Sequence, residues 1–290
     1  MEKSFSTPNP VRLYVENDVG VVVITSQPTD SSTVVLHPET PGAEELVARS
    51  VVECRPKGKR NLLVVKIPRL HGSRFVRRNG VTVRVTVPEG SDVDVVTASA
   101  DVDVIGPIGD ADFKTSSGDV STDDVVGEVT AKTASGNITL GHVGGALRVD
   151  SASGDLRCSE VAGRALFNTV SGDVEIGAAR HQLDVKATSG NARLGELSHG
   201  ARVVGVSGDV RVLALSEGTL QVRSVSGSVA VGVVRGVDLH VDVETVSGAV
   251  HSDIPLDESP RGGRSDTRVD ITVRSVSGDV GIEHALELVA

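Results

Sequence analysis

The sequence of 290 residues is poor in bulky side chains and has no long apolar run. Aromatic residues make up 2% of the chain (Phe 4, Tyr 1, Trp 0), and there is one Met. Val, Ile, Leu and Ala must then fill the interior, so we expect a thin core. No apolar run approaches the ~20 residues that a membrane helix requires. The first ten residues lack the charged and then apolar stretch of an export signal, so we predict a cytoplasmic protein.

Cysteine is also scarce, with Cys54 and Cys158 only. Two cysteines exclude a disulfide scaffold and fit a reducing compartment. Cys158 falls on the apolar side of an alternating segment, so we expect it to be a small core residue. Cys54 precedes Arg55 and Lys57, whose positive charges predict a lowered pKa for its thiol.

A Ser-Gly pair recurs with a fixed period. The pairs stand at 117/118, 135/136, 153/154, 171/172, 189/190 and 207/208, at intervals of 18 residues. Ser99-Ala100 is a degenerate member one period earlier, and the intervals to Ser226, Ser247 and Ser277 loosen to 19, 21 and 30 residues. A fixed period of this length is the signature of a repeat architecture.

Within each repeat, apolar and polar residues alternate. One apolar column consists of Val93, Ala111, Val129, Leu147, Ala165, Leu183 and Ala201, and the next consists of Val95, Phe113, Ala131, Val149, Phe167, Val185 and Val203. Alternation with period two indicates strands with one buried face. Each repeat is therefore predicted to be a strand, a Ser-Gly turn, a second strand and a second turn.

Equivalent residues 18 apart would stack if each repeat completed one circuit and lay on the previous one, about 4.8 Å along an axis. We therefore predict an all-β fold, a β-helix (β-solenoid) with 18-residue coils and two strands per coil. Its narrow interior explains the shortage of aromatic residues. A sandwich of short strands is the alternative fold.

The Ser-Gly corner is followed by Asp or Asn in most repeats. Gly tolerates positive φ, and Asx side chains bond their own neighbouring backbone, so the triplet favours a tight corner. The predicted structural turn ladder consists of Ser117, Gly118, Asp119, Ser153, Gly154, Asp155, Ser171, Gly172, Asp173, Ser207, Gly208 and Asp209. Calcium binding by the acidic column stays open. Calcium-binding rolls, however, carry Gly-Gly-x-Gly-x-Asp at every corner, and this chain has Ser-Gly-Asp at one corner per coil.

The chain divides into two predicted regions. Residues 1–90 lack the period and read as an N-terminal β cap, antiparallel or irregular, that is continuous with the solenoid. Residues 91–290 are the solenoid, with a loop insertion at 251–268 that contains Pro255 and Pro260. Stacked repeats need a cap because an open sheet edge invites further pairing.

Charge is distributed unevenly. The formal net charge is −10, yet residues 55–84 contain ten of the 29 basic residues and none of the 39 acidic ones. The candidate interaction surface is Arg55, Lys57, Lys59, Arg60, Arg74, Arg77 and Arg78. A solvated strand face explains such a cluster, and so does contact with anionic lipid, nucleic acid or an acidic flank of another copy. Nucleic acid is disfavoured because Phe75 is the only aromatic residue there on which a base could stack.

The sequence shows no constellation typical of catalysis. His181 and His199 share a column and should stack, but they lack further ligands and are weak metal candidates. There is no Gly-x-Ser-x-Gly elbow and no phosphate-binding loop. We predict a protein that is not an enzyme and has no cofactor. The alternative is a glycan-binding or glycan-processing β-helix, which would cluster Asp or Glu with Arg on one outer face beside the 251–268 loop.

The Val-Ser-Gly-Asp-Val units at 170–174, 206–210 and 276–280, led in by Val-Pro-Glu-Gly at 87–90, resemble a bacterial family. This is the putative-adhesin family of β-strand-repeat domains of unknown function, also called toast-rack domains. The likeness covers essentially the whole chain, with 91–281 the most specific part. It implies a single-stranded right-handed β-helix without known catalytic residues, and many relatives are tied to the cell envelope.

These observations predict a rigid, non-enzymatic scaffold or interaction module. Its expected partner is a protein or another copy of the chain, and a glycan or an anionic surface is the alternative for the basic region. The rival structural function is a filament that assembles end to end. We expect no nucleic acid and no membrane-spanning segment.

Overall fold

A computed structural model describes residues 1–58, 60–68, 80–254 and 267–285 of the chain. The chain forms two compact units, Met1–Gly145 and Ala146–Ala290. Strands dominate both units because the alternating Val-rich segments present one apolar face each. The predicted all-β solenoid is confirmed.

The elements of the N-terminal unit are β1 (Glu2–Ser6), β2 (Arg12–Asn17), β3 (Gly20–Gln27), β4 (Ser31–Pro38), a 3₁₀ turn (Pro41–Ala43), α1 (Glu44–Ala48), β5 (Val51–Lys57), β6 (Arg60–Lys66), β7 (Val81–Pro88), β8 (Asp92–Thr97), β9 (Asp101–Ile105), β10 (Ala111–Lys114), β11 (Val120–Val125), β12 (Val129–Thr133) and β13 (Ile138–Val143). One sheet has the order β1-β4-β7-β3-β9-β11-β13, and the other has the order β5-β6-β2-β8-β10-β12. The β1–β4, β4–β7 and β5–β6 pairs are antiparallel, whereas β2 and β3 run parallel to their neighbours.

The elements of the C-terminal unit are β14 (Leu147–Ser153), β15 (Leu156–Val161), β16 (Ala165–Ser171), β17 (Val174–Ala179), β18 (Leu183–Ser189), β19 (Ala192–Leu197), β20 (Gly200–Ser207), β21 (Val210–Leu215), β22 (Gly218–Ser226), β23 (Val229–Val233), β24 (Asp238–Ser247), β25 (Val250–Ser252), β26 (Arg268–Ser277) and β27 (Val280–His284). One sheet has the order β14-β16-β18-β20-β22-β26-β24, and the other has the order β15-β17-β19-β21-β23-β27-β25.

Strands one coil apart are parallel and keep the 18-residue register. Val149 pairs with Phe167, and Phe167 pairs with Val185. All three side chains are fully buried, so like positions stack along the core. In the N-terminal unit the buried Phe113 lies between Val95 and Ala131, which shows how a small neighbour makes room for a ring.

Both units depart from strict chain order. The β2–β3 coil lies between the β6–β7 coil and the β8–β9 coil. The β26–β27 coil lies between the β22–β23 coil and the β24–β25 coil. The expectation that every coil lies on the one before it in sequence is therefore wrong at these two places. An inserted coil gains a hydrogen-bonded neighbour on each side, which protects the strands near the chain termini from fraying.

Candidate functional site

A groove of about 450 Å³ lies beside β2, β5 and β6 of the N-terminal unit. Leu13 and Val15 of β2 are buried in the core, so Arg12 and Tyr14 point to the opposite, outer face of the sheet. The groove is lined by Arg12, Tyr14, Val51, Glu53, Arg55, Lys57, Leu62, Val64, Lys66 and Asp94, and we call this set the basic groove.

The basic groove has an apolar floor and a cationic rim. Leu62 and Val64 of β6 line the groove although they are only 7% and 5% exposed. Register brings Arg12 beside Leu62 and Tyr14 beside Val64. A ligand in the groove would therefore meet carbon below and positive charge at the sides.

Some of the rim cations are neutralised by neighbouring carboxylates. Lys66 Nζ lies 3.5 Å from Glu16 Oε2 and 4.9 Å from the centre of the Tyr14 ring. Arg55 Nη1 lies 3.7 Å from Glu53 Oε1.

The other two rim cations are differently placed. In the described part of the chain, Arg12 and Lys57 form no ion pair. Arg12 is close enough to Asp94 to lower the pKa of that carboxyl, so its charge is partly offset, whereas Lys57 lies on the rim without a carboxylate in the described ion pairs.

The structure brings together part of the basic surface predicted from the sequence. Arg55 and Lys57 lie in the basic groove. Arg60 lies near it, but its Nη1 is 2.7 Å from Asp92 Oδ1, so its charge is compensated. Four further predicted residues lie outside the described residues: Lys59, Arg74, Arg77 and Arg78.

Sequence reasoning missed Arg12, Tyr14 and Lys66 as members of the site. Alternation marks Arg12 and Tyr14 as outward residues, and that signal was present in the sequence. Their position beside β6 depends on the insertion of the β2–β3 coil, for which the sequence gives no local signal.

The pKa predicted for Cys54 is wrong in direction. Cys54 lies on the inward side of β5, opposite Leu63 of β6, and burial raises the pKa of its thiol. Burial likewise raises the pKa of Cys158 to about 12, and its side chain is 3% exposed. The prediction that Cys158 is a core residue is confirmed. Both cysteines are free thiols.

The outer face becomes acidic next to the basic groove. A groove of about 200 Å³ is lined by Arg12, Asp92, Val93, Asp94, Asp110, Ala111, Asp112, Glu128 and Thr130. Asp94 and Asp112 are neighbours in register. Burial and then the charge of Asp112 raise the pKa of Asp94, against the smaller opposing effects of Lys114 and Arg12. The Oδ1 atoms of Asp94 and Asp112 are buried without a hydrogen-bond partner in the described structure.

The predicted turn ladder is a ladder of bonds between coils. The N–H of Asn191 donates to Asp173 Oδ1 at 2.8 Å, and the N–H of Asp209 donates to Asn191 Oδ1 at 3.0 Å. Asp155 Oδ1 accepts in the same way from Asp173, and Asp119 Oδ1 accepts from Asn137. We expected Asx bonds within the turn, whereas these acceptors serve the adjacent coil.

The corner glycines and serines are equally structural. Gly154, Gly172 and Gly208 have φ of 122°, 123° and 132°, which favours glycine. Ser153 pairs in register with Ser171, and the column continues through Ser189 to Ser207. In the N-terminal unit, Ser117 Oγ donates to the carbonyl oxygen of Ala98 at 3.3 Å, and the N–H of Gly118 donates to Thr115 Oγ1 at 3.0 Å.

The two weak metal candidates do lie together. The ring centroids of His181 and His199 are 5.1 Å apart, with the planes inclined at 36°. Across the described residues no group of three or more His, Cys, Asp or Glu side chains is placed to hold a metal ion.

A further groove, of about 360 Å³, lies on the C-terminal unit. Its lining consists of Arg157, Asp173, Val174, Glu175, Asn191, Ala192, Arg193, Asp209 and Arg211. Arg157 lies 3.1 Å from Asp155 Oδ2 and 3.6 Å from Glu175 Oε2. The three arginines of this lining face an equal number of carboxylates, so it offers no net charge to a ligand.

None of the helices within the described ranges has the length and apolar character needed to cross a membrane.

No curated protein matches the sequence. Among solved structures, the chain is similar to a putative adhesin from Parabacteroides merdae ATCC 43184 (12% identity, 97% of this chain and 95% of that chain, TM-score 0.46). It is also similar to a putative adhesin from Bacteroides fragilis NCTC 9343 (14% identity, 97% and 96%, TM-score 0.44). A third similar structure is a putative lipid binding protein from Parabacteroides distasonis ATCC 8503 (11% identity, 97% and 96%, TM-score 0.37).

The family comparison covers most of the chain. The profile of the family described as Toastrack DUF4097 matches residues 56–283, a span that runs from β5 to β27. The chain belongs to the Toastrack DUF4097 family.

Proposed function

We propose that the chain is a non-enzymatic interaction module that binds an acidic, extended segment of a partner protein in the basic groove. The observation that carries this proposal is the pair Arg12 and Lys57, which line the groove without an ion pair in the described structure. Asp94 offsets part of the Arg12 charge, so Lys57 is the less compensated of the two and the better placed to meet an anion from outside.

The shape and chemistry of the groove favour a peptide over other anions. An extended chain turns alternate side chains to opposite sides, so apolar residues can cover Leu62 and Val64 while acidic residues reach the rim. Tyr14 is the only aromatic side chain in the lining, which disfavours a nucleic acid that binds by stacked bases.

A structural use of the repeated polar residues supports the proposal that the protein is not an enzyme. The carboxylate of Asp173 accepts a backbone N–H from the next coil, and Asp209 does the same for Ser228 at 2.8 Å. Ser171 lies in a column of corner serines, beside a glycine with positive φ. These groups maintain the stack of coils.

We also propose that the protein works in the cytoplasm. Both cysteines are unpaired, which suits a reducing compartment. Fractionation of cells that produce the protein at its natural level tests this proposal, and recovery in the envelope or the medium would contradict it.

The binding proposal is tested with a fluorescent peptide of alternating Glu and Val, using anisotropy at several salt concentrations. The double variant Arg12→Gln/Lys57→Gln should bind roughly tenfold more weakly, because each exposed ion pair is worth up to about 1 kcal/mol. The control Lys132→Gln/Arg202→Gln removes the same charge from exposed positions outside the groove and should bind normally.

Three results would contradict the proposal. One is equal weakening by both double variants, which would indicate a general charge effect. Another is the absence of binding to the unmodified protein. The third is binding to phosphatidylglycerol vesicles without binding to the peptide, which would assign the groove to a membrane surface.

A further inference from the structure

The sheet that ends at β24 has an unpaired and poorly protected edge. β24 is ten residues long and pairs on one side with β26; no other strand of the described chain pairs with it. It contains no Pro, Lys or Arg, and its charged residues are Asp238, Asp242 and Glu244, whose repulsion is the only protection of this kind in the strand.

The core is also incompletely covered at β24. Val269, Ile271 and Val273 of β26 are fully buried. The residues that pair with them in β24 are Leu239, Val241 and Val243, and each of these is partly exposed. The hydroxyl of Thr245 is buried without a hydrogen-bond partner in the described structure. The positions that face the core in β26 are therefore left partly open to solvent in β24.

The terminal strands of the N-terminal unit are protected instead. β5 carries Pro56 and Lys57, and Lys3 Nζ donates to the carbonyl oxygen of Val52 at 2.9 Å. β1 is five residues long and bears Lys3. Leu46 and Val47 of α1 are 5% and 8% exposed, so the helix packs its apolar side into the fold. Strand addition to β5 or β1 is thus disfavoured.

We propose that β24 pairs with β24 of a second copy of this chain, antiparallel and related by a two-fold axis near Val241. An isologous contact closes on itself, so it yields a dimer and not a filament. Each copy supplies the same partly exposed residues, Leu239, Val241 and Val243. Antiparallel pairing places the two sets on the same side of the continued sheet. A second copy therefore covers the residues that β24 leaves open.

The apolar residues favour this register over its neighbours. With Val241 opposite Val241 of the other copy, Leu239 faces Val243 of the other copy twice, and His240 faces Asp242 twice. With the axis at residue 242, Leu239 would face Thr245, and with the axis at residue 240, Val243 would face a residue that precedes β24. Asp238 and Glu244 also come together in the proposed register. These like charges oppose the pairing, and Arg274, whose Nε lies 3.7 Å from Glu244 Oε2, offsets part of the repulsion, whereas Arg268 is hydrogen-bonded to Asp270.

Single cysteines test both the pairing and its register. In a Cys54→Ser/Cys158→Ala background, Val241→Cys should form an intermolecular disulfide under mild oxidation, because the two sulfurs face each other. The matched control Leu239→Cys faces residue 243 of the other copy, about 13 Å from its own counterpart. We expect cross-linking at 241 to be at least tenfold faster than at 239 and to rise with protein concentration. Sedimentation of the full chain without added cysteines should show a concentration-dependent dimer.

Three outcomes would overturn the proposal. A monomer at all concentrations up to solubility would show that the edge is covered in another way, for example by further residues of the same chain. Equal cross-linking at 239 and 241 would show that any association is nonspecific. Higher oligomers that grow with concentration would favour a filament and also count against the closed dimer.

Discussion

The backbone N–H of Asn191 lies 2.8 Å from Oδ1 of Asp173 in the adjacent coil. Asp155, Asp173, Asn191 and Asp209 repeat this bond over successive coils. Each of these coils therefore holds the next one at its corner through a side-chain acceptor, in addition to the bonds of the sheets. The Asp and Asn residues that follow the Ser-Gly corner therefore stabilise the contact between adjacent coils.

Asp173→Ala should destabilise the protein by about 1 kcal/mol, because the N–H of Asn191 loses its acceptor. Asp173→Asn should cost much less, since Asn191 already fills the same role with a carbonyl oxygen. Urea unfolding followed by circular dichroism measures both. Equal destabilisation by the two variants would show that the negative charge matters and the hydrogen bond does not.

Gly172→Ala should cost about 2 kcal/mol or more. Gly172 has φ of 123°, and a Cβ there would clash with the carbonyl oxygen of Gly154. Gly281 is the control, because a Cβ at that position meets nothing within 4 Å. Gly281→Ala should leave stability unchanged or raise it by about 0.5 kcal/mol, as expected for Ala in a strand. Thermal unfolding compares the two variants, and a harmless Gly172→Ala would contradict the close approach of the coils.

Deletion of residues 165–182 removes one full coil and should leave a folded protein. Ala165 and Leu183 pair in register, so Leu183 can take the place that Ala165 leaves beside Leu147. Deletion of 165–173 removes half a coil and should prevent folding. The strands that follow the deletion would then have to occupy positions in the opposite sheet. Circular dichroism and limited proteolysis distinguish the outcomes. If the full-coil deletion also failed to fold, stacking would depend on more than neighbouring coils.

The sequence predicted the stacking of Val149 on Phe167 correctly, because alternation and an 18-residue period determine both the strands and their register. It could not predict coil order at the two inserted coils. Leu239, Val241 and Val243 show the same pattern as Val269, Ile271 and Val273, so nothing local decides which set lies inside. That choice depends on the whole chain.

The unpredictable coil order also limits how much of the basic groove could be predicted from the sequence. Arg55 and Lys57 were visible as basic residues on an alternating segment. Arg12 and Tyr14 join them only because β2 lies beside β6. The Cys54 pKa was misjudged because sequence neighbours on a strand point to opposite faces, so Arg55 is on the other side of the sheet from the thiol.

Asp94→Asn should stabilise the protein at neutral pH by about 0.5 kcal/mol, roughly a 1 °C rise in Tm for a chain of this size. The pKa of Asp94 is raised in the folded state from its ordinary value of 3.8, by burial and by Asp112. A carboxyl group with a raised folded pKa costs stability when it is ionised. This cost is absent below the unfolded pKa and is fully present above the folded pKa.

The gain from Asp94→Asn should therefore disappear as the pH falls to about 3. Asp103→Asn is the matched control, because Asp103 is exposed and pairs in register with Ser121 and Val23, neither of which is charged. Differential scanning calorimetry at the two pH values, for both variants, separates repulsion from a general loss of charge. A gain that persists at low pH, or an equal gain from Asp103→Asn, would mean that the Asp94–Asp112 contact is not its source.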